Sequence, residues 1–221
     1  MAWPTTSVLD ALNRTENPLS NGGKWSQPLD PGGAATMQDD GTTATSVSGA
    51  SNNYSSAYWN VQTFTDSEVY ATVATPSGND WYLMARVTNP GNTSTYSGYY
   101  VYFQNTTVEI YRVDNNGVTS LNTGTITTLN GQSNVQLGFS VVGTTLTAYI
   151  NGTSVLTTTD STYSSGYIGM ELDQPTAGVG FYNFGGGAPV TATTPSPLIE
   201  TINWDKFPKA RRLRPVHFHQ G

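Results

Sequence analysis

Val135, Leu137, Phe139 and Val141 alternate with Gln136, Gly138 and Ser140. After Gly143-Thr144 the alternation resumes, with Leu146, Ala148 and Ile150 on one side and Thr145, Thr147 and Tyr149 on the other. A period of two with one apolar side is what a half-buried antiparallel strand requires. The Asn151-Gly152 pair tolerates positive φ at both turn positions and predicts a tight hairpin before Val155 and Leu156. Similar patterns predict a short strand over 7–12 and stronger ones over 55–63, 67–75, 80–88, 98–104, 107–113, 118–126, 153–158, 166–172 and 177–184. The turns between them carry Pro76-Ser-Gly-Asn, Asn89-Pro-Gly-Asn, Asp114-Asn-Asn-Gly and Asn130-Gly. No segment has the i, i+3, i+4, i+7 stripe of an amphipathic helix. The chain reads as all-β, and strands at this spacing imply an antiparallel two-sheet sandwich or jelly roll.

The alternation also sorts side chains. With Val69, Val73, Leu83, Val87, Val101, Phe103, Val108, Ile110, Leu146, Ile150, Ile168 and Met170 pointing inward, the outward set includes Tyr70, Tyr82, Tyr100, Tyr102, Tyr111, Tyr149 and Tyr167. Tyr82, Tyr100, Tyr102, Tyr111 and Tyr149 make a candidate binding face, for a tyrosine ring with its polar tip suits sugar rings and protein interfaces alike. Tyrosine is also simply a good strand former.

The strand pattern ends near Phe184, so residues 1–184 form the domain. Residues 185–197, rich in Gly, Pro and Thr, read as an extended linker. Beyond it, residues 198–221 mix aromatic and basic side chains: Trp204, Phe207, Lys209, Arg211, Arg212, Arg214 and Phe218. So short a segment cannot bury these groups among themselves, which predicts a C-terminal arm that docks on another surface. The net charge of -6 is divided accordingly. Up to Pro197 four basic residues face thirteen acidic ones, and from Leu198 five basic residues face two. Five cations in an acidic chain make a poor phosphate binder, and Pro208 and Pro215 oppose a membrane-bound amphipathic helix. Neither a nucleic acid nor a membrane is therefore an expected partner.

There is no cysteine, which removes disulfides, thiolate metal sites and a cysteine nucleophile. His217 and His219 both lie in the arm, where nothing holds them in a catalytic triad. No basic and apolar leader precedes the first strand, so synthesis in a host cytoplasm is expected.

The block Thr145-Leu-Thr-Ala-Tyr-Ile-Asn-Gly-Thr-Ser-Val155, followed by Ser165-Gly-Tyr-Ile-Gly-Met170, resembles the concanavalin A-like and laminin-G-like jelly rolls. Val8-Leu-Asp-Ala-Leu-Asn-Arg14 with Trp25, and Phe181-Tyr-Asn-Phe-Gly-Gly186, are similar to the first and last strands of such domains. The resemblance implies three further expectations. Glucanases of this fold carry Glu-x-Asp-x-x-Glu on one strand; the nearest match, Glu171-Leu-Asp173-Gln-Pro-Thr176, lacks the last carboxylate, so no catalytic residue is expected. Relatives often hold calcium with oxygen ligands, and Asp10 with Asn183 could supply them as a structural site, as could Asp114 to Asn116 or Asp39 with Asp40; turn chemistry explains each as simply. Chains of this pattern also resemble structural proteins of tailed bacteriophages. The expected role is accordingly a non-enzymatic virion-surface protein, decorating the capsid or another exterior structure. It would be a homo-oligomer, with its arm on the capsid shell or other virion proteins. The alternative is a carbohydrate-binding or host-attachment module using the tyrosine face on a glycan, and a glucanase-type hydrolase, which the fold permits, comes third.

Overall fold

The structure, a computed structural model, describes residues 3–27, 35–47, 54–76, 80–92, 94–173 and 179–190. The chain divides into two units, Met1–Val190 and Thr191–Gly221. The whole arm, with Trp204, Phe207, Lys209, Arg211, Arg212, Arg214 and Phe218, lies outside the described residues, as do Pro175 and Thr176.

Among the described residues there are strands and no helix, hence no helix long and apolar enough to cross a membrane. In chain order they are β1 (Val8–Asp10), β2 (Thr15–Glu16), β3 (Trp25–Ser26), β4 (Met37–Asp40), β5 (Ala44–Ser46), β6 (Tyr54–Trp59), β7 (Ser67–Val73) and β8 (Asp80–Thr88). There follow β9 (Ser97–Gln104), β10 (Thr107–Asp114), β11 (Gly117–Thr125), β12 (Val135–Val142), β13 (Thr145–Ile150), β14 (Thr153–Thr159), β15 (Tyr167–Asp173) and β16 (Phe181–Gly187). They pair antiparallel into two sheets. The nine-stranded back sheet runs β14-β13-β12-β7-β16-β5-β4-β2, with β1 also on β16, and the seven-stranded front sheet runs β11-β10-β9-β8-β15-β6-β3.

The sheets close on one apolar layer. Leu83, Val101, Phe103, Ile110, Ile168 and Met170 face Val69, Val73, Phe139 and Leu146 across it, all with no exposed surface. Trp81 of the front sheet meets Phe181 of the back sheet edge-on at 5.1 Å between ring centres. Burial of so many large side chains is the dominant stabilising term for such a sandwich.

Three expectations need correction. Val87 faces outward, not into the core, because β8 bulges between Ala85 and Thr88 with Arg86 at φ 52°. One extra residue moves every later side chain to the other side. The Arg86 side chain turns into the structure, where Nε donates to Thr65 O (2.6 Å), Nη1 to Tyr163 O (2.8 Å) and Nη2 to Asp66 Oδ1 (3.3 Å). Second, Tyr149 and Tyr70 belong to the back sheet, away from the other candidate tyrosines. Third, Gly185 to Gly187 are not linker but the end of β16, paired with Tyr70, Val69 and Glu68. Gly185 and Gly186 are glycines for want of room, since a Cβ would lie 2.1 Å from Tyr70 Cζ on the first and 2.5 Å from Glu68 O on the second, and Gly187 has φ 136°.

The outer side of the back sheet is strapped by the N-terminal segment. The backbone N–H groups of Thr5 and Thr6 donate to Glu68 Oε1 at 2.6 and 2.5 Å, and the Thr6 hydroxyl adds a third bond at 2.6 Å. Tyr70 Oη donates to Thr6 O, and Val190 N donates to Thr5 Oγ1 at 2.9 Å. Trp3 lies flat on Tyr149, 4.2 Å away and 4° from parallel, directly over Gly138.

Candidate functional site

The front sheet builds a second cluster on its outer side. Ser56, Glu171, Tyr82, Tyr102 and Glu109 are successive cross-strand partners along β6, β15, β8, β9 and β10, so they form one row. The next row is Tyr58, Gly169, Met84, Tyr100 and Tyr111. On the other flank Tyr54, Asp173 and Asp80 align, and Gln104 Nε2 donates to Asp80 Oδ1 at 2.7 Å. Period-two geometry puts all these outward, because the residues between them fill the core.

A cleft of about 440 Å³ opens over the rows. Tyr54, Tyr82, Tyr96, Tyr100, Tyr102 and Tyr111 line it with Glu109 and Glu171, and Val113, Asn116 and Val118 lie toward β11. The rings brace one another: Tyr82 and Tyr102 are 5.1 Å apart, and Tyr100 stacks on Tyr111 at 5.2 Å. Tyr96 packs edge-on against Tyr100, hydroxyl to hydroxyl. The expected tyrosine face is thus a packed cleft and not an open platform. Tyr100 and Tyr82 are 1% and 9% exposed, Tyr102 and Tyr111 are half-buried, and Tyr54 is 42% exposed. Tyr149 takes no part, since Trp3 covers it on the back sheet.

Burial, reinforced by Asp80 and Glu171, pushes the Tyr82 phenol far above its ordinary value. Burial and then Asp80 do the same to Tyr102. Burial raises Tyr111 well above the usual range, with Glu171 the next cause. These rings stay protonated at neutral pH, offering neutral π faces and hydroxyl donors. The Asp80 carboxyl is itself raised by burial, which the Gln104 bond opposes and Asp173, its partner across β8 and β15, reinforces.

Tyr54, Tyr96, Asp80 and Glu109 were not singled out from the sequence. Tyr96 sits in the irregular stretch before β9, where alternation carries no signal. Glu109 becomes informative only once the register sets it beside Tyr102. Glu171 and Asp173, two residues apart, share one side of β15.

The calcium candidates fare differently. Asp10 and Asn183 are neighbours, for Asp10 pairs with Phe184 and Asn183 N donates to Ala11 O. Yet the buried Asp10 carboxylate already accepts from Arg14 Nη1 (2.6 Å), Trp25 Nε1 (2.8 Å), Asn21 Nδ2 (3.0 Å) and Leu12 N (3.0 Å). Burial alone would raise its pKa, but these bonds, Arg14 foremost, hold it below the usual value. A guanidinium occupies the place a cation would take, so this donor set does not fit calcium. Asp39 accepts from Arg14 N and Gly41 N, and Asp114 is tied to Arg112 and Tyr163. Among the described residues no group of three or more acidic or histidine side chains could hold a metal ion.

No protein-family model matches the chain, and no curated protein matches its sequence. Solved structures do match. A carbohydrate-binding module, CBM66, from Bacillus subtilis superposes with a TM-score of 0.57 at 17% identity, over 75% of this chain and 96% of its own. The Bacillus licheniformis β-glucanase gives 0.57 at 14% identity, over 82% and 97%. The exoplasmic/lumenal domain of VIP36, in its Ca2+/Man3GlcNAc-bound form, gives 0.58 at 11%, over 92% and 95%. The fold is a concanavalin A-like jelly roll. Identity this low establishes the architecture, and activity has to be argued from the site.

Proposed function

We propose that this chain is a carbohydrate-binding module whose site is the tyrosine cleft of the front sheet. The observation that carries the reading is the cleft itself: six tyrosines and two acidic residues converge on a cavity within the size range of small-molecule sites, about 300–1,000 Å³. A sugar ring is apolar on its faces and polar at its rim. Tyr102 and Tyr111 offer faces to the first, and phenol hydroxyls with Glu109 and Glu171 bond the second. The names of the structural neighbours, a carbohydrate-binding module, a glucanase and a glycan-bound domain, support this choice. The virion-surface role, with its homo-oligomer and capsid partners, rests on the arm and on a family likeness, and the neighbours favour the glycan-binding alternative.

The reading is non-catalytic. Glycoside hydrolysis needs two carboxyl groups flanking one bond, at most about 9.5 Å apart. Glu171 and Glu109, the carboxyl groups that line the cleft, stand on strands three steps apart, about 14 Å by strand spacing, with the Tyr82 and Tyr102 rings between them. The closer pair, Glu171 and Asp173, lacks the third carboxylate of the glucanase pattern, for which the sequence has Thr176.

The test is a glycan array followed by calorimetry on the neutral oligosaccharides that bind, using the full chain, Tyr102→Ala and Tyr54→Ala. The variants should lose about ten-fold or more in affinity with unchanged circular dichroism. Absence of binding to any glycan, or full affinity in both variants, would overturn the proposal.

A further inference from the structure

The cleft does not use every tyrosine on the outer side of the front sheet. Tyr58 on β6 and Tyr167 on β15 belong to the same outer cluster, packed against Met84, Val87 and Tyr100, yet neither lines the cleft. Their rings are 5.2 Å apart and inclined at 56°. Both are half-buried, so part of each ring meets solvent. Strand propensity would account for either tyrosine alone, but it does not account for where the register puts the pair.

Tyr58, Gly169, Met84, Tyr100 and Tyr111 are successive partners across β6, β15, β8, β9 and β10. This row therefore carries rings at both ends. At one end Tyr100 and Tyr111 stack inside the cleft, and at the other Tyr58 leans on Tyr167, two residues before Gly169. The two positions between are a glycine, with no side chain, and a methionine with no exposed surface, so neither projects into solvent along the way. From Tyr111 to Tyr58 is four strand steps, about 19 Å. An extended β-linked glycan advances by roughly one such step, about 4.8 Å, per pyranose ring. About five rings therefore reach from one end of the row to the other, and two do not.

Resting on the sugar-binding reading, we infer that Tyr58 and Tyr167 form a second aromatic station outside the cleft, which holds the far end of an extended oligosaccharide. The cleft takes one end of the chain through Tyr102 and Tyr111. The pair takes a ring about three or four units further on, offering one apolar face and two hydroxyl groups to it. The two stations act as linked sites, so the protein favours chains of about five units or more over disaccharides.

Calorimetry on the full chain tests this with β-1,4-linked glucose, xylose and mannose oligomers of two to six units. In the series that binds, affinity should climb about ten-fold or more between two and five units and then level off. Tyr58→Ala and Tyr167→Ala should each lower the affinity for the five-unit oligomer about five-fold or more and leave that for the disaccharide unchanged. Tyr58→Phe, which keeps the ring, should retain most of the affinity, whereas Tyr102→Ala should weaken every length. A disaccharide bound as tightly as the hexamer by the parent chain would overturn the second station, with no variant needed, and leave the cleft reading standing. An equal loss at both lengths in Tyr58→Ala would also overturn it, for the residue would then act through the fold. Long oligomers that depend on Tyr58 and Tyr167 but not on Tyr102 would overturn the cleft reading, and with it the linkage of two stations. Silence from all three series would overturn both.

Discussion

Gly138 offers a clean test of how the back sheet is finished. It lies on β12 between Tyr149 and Tyr70, its partners on β13 and β7, and the Trp3 indole fills the notch left by its missing side chain. A Cβ there would stand 1.6 Å from Trp3 Cη2 and within 2.6 Å of two more indole carbons, so Gly138→Ala must evict the ring. Eviction removes the stack on Tyr149, worth about 0.5–1.5 kcal/mol. It also removes packing that, for a part-buried tryptophan, is about half the 3–5 kcal/mol of full truncation. Against this, replacing glycine by alanine in extended chain returns about 0.4–1 kcal/mol through the unfolded state. The net expectation is a loss of about 1–3.5 kcal/mol, or roughly 2–14 °C in Tm for a domain of this size. Trp3→Ala should cost a similar amount. The deciding measurement is the double variant in a denaturant-unfolding cycle followed by far-UV circular dichroism. With Trp3 already gone the three atoms nearest the alanine Cβ are removed, so Trp3→Ala/Gly138→Ala should be as stable as Trp3→Ala or slightly more so. If Gly138→Ala is silent alone, or equally harmful in both backgrounds, the strap does not hold the sheet as described.

Other consequences can be measured in the same way. Arg86→Ala should destabilise by about 2–4 kcal/mol in urea unfolding, because the bonds from its buried guanidinium to Thr65 O and Tyr163 O are lost. Burial tends to raise the Asp160 carboxyl, but bonds from Tyr99, Thr162 and Arg112 outweigh it and hold the pKa at about 2. That value lies below the unfolded one of about 3.9, so its stabilisation is full above pH 5 and lost as pH falls from about 4 to about 2. Asp160→Asn should flatten that part of the stability–pH curve. Asp10→Asn should cost about 1–3 kcal/mol by weakening the bonds from Arg14 and Trp25. Calcium added in excess should leave the Tm of the parent chain unchanged, and a clear rise would show that the Arg14 argument is wrong.

Much of the architecture could be read from alternation. Phe139, Val101 and Ile168 face the core as their period predicts, and the Asn151-Gly152 hairpin joins β13 to β14. The failures share one cause. Alternation says that a residue points away from the core, but not which sheet its strand joins, so Tyr149 and Tyr102 looked equivalent until pairing separated them. It also assumes an unbroken period, which the Arg86 bulge violates and Val87 records. The triple glycine at 185–187 looked flexible because composition cannot distinguish freedom from crowding; Tyr70 against Gly185 and Glu68 O against Gly186 show that at these two positions it is crowding. At the site, four of the five candidate tyrosines do meet on one sheet. Their acidic neighbours were hidden because Glu109, Tyr102, Tyr82 and Glu171 are scattered in sequence and become a row only through register.

The bond from Val190 N to Thr5 Oγ1 has a practical corollary. The first and last described stretches of the body meet on the outer side of the back sheet, turned away from the tyrosines. Residues near 3 and 190 could therefore be spliced by a short peptide and new ends opened at the exposed Asn130-Gly131 corner, giving a circular permutant that keeps every sheet pairing. Such a rewired chain, immobilised through its original seam, would display its cavity toward solution on any solid support.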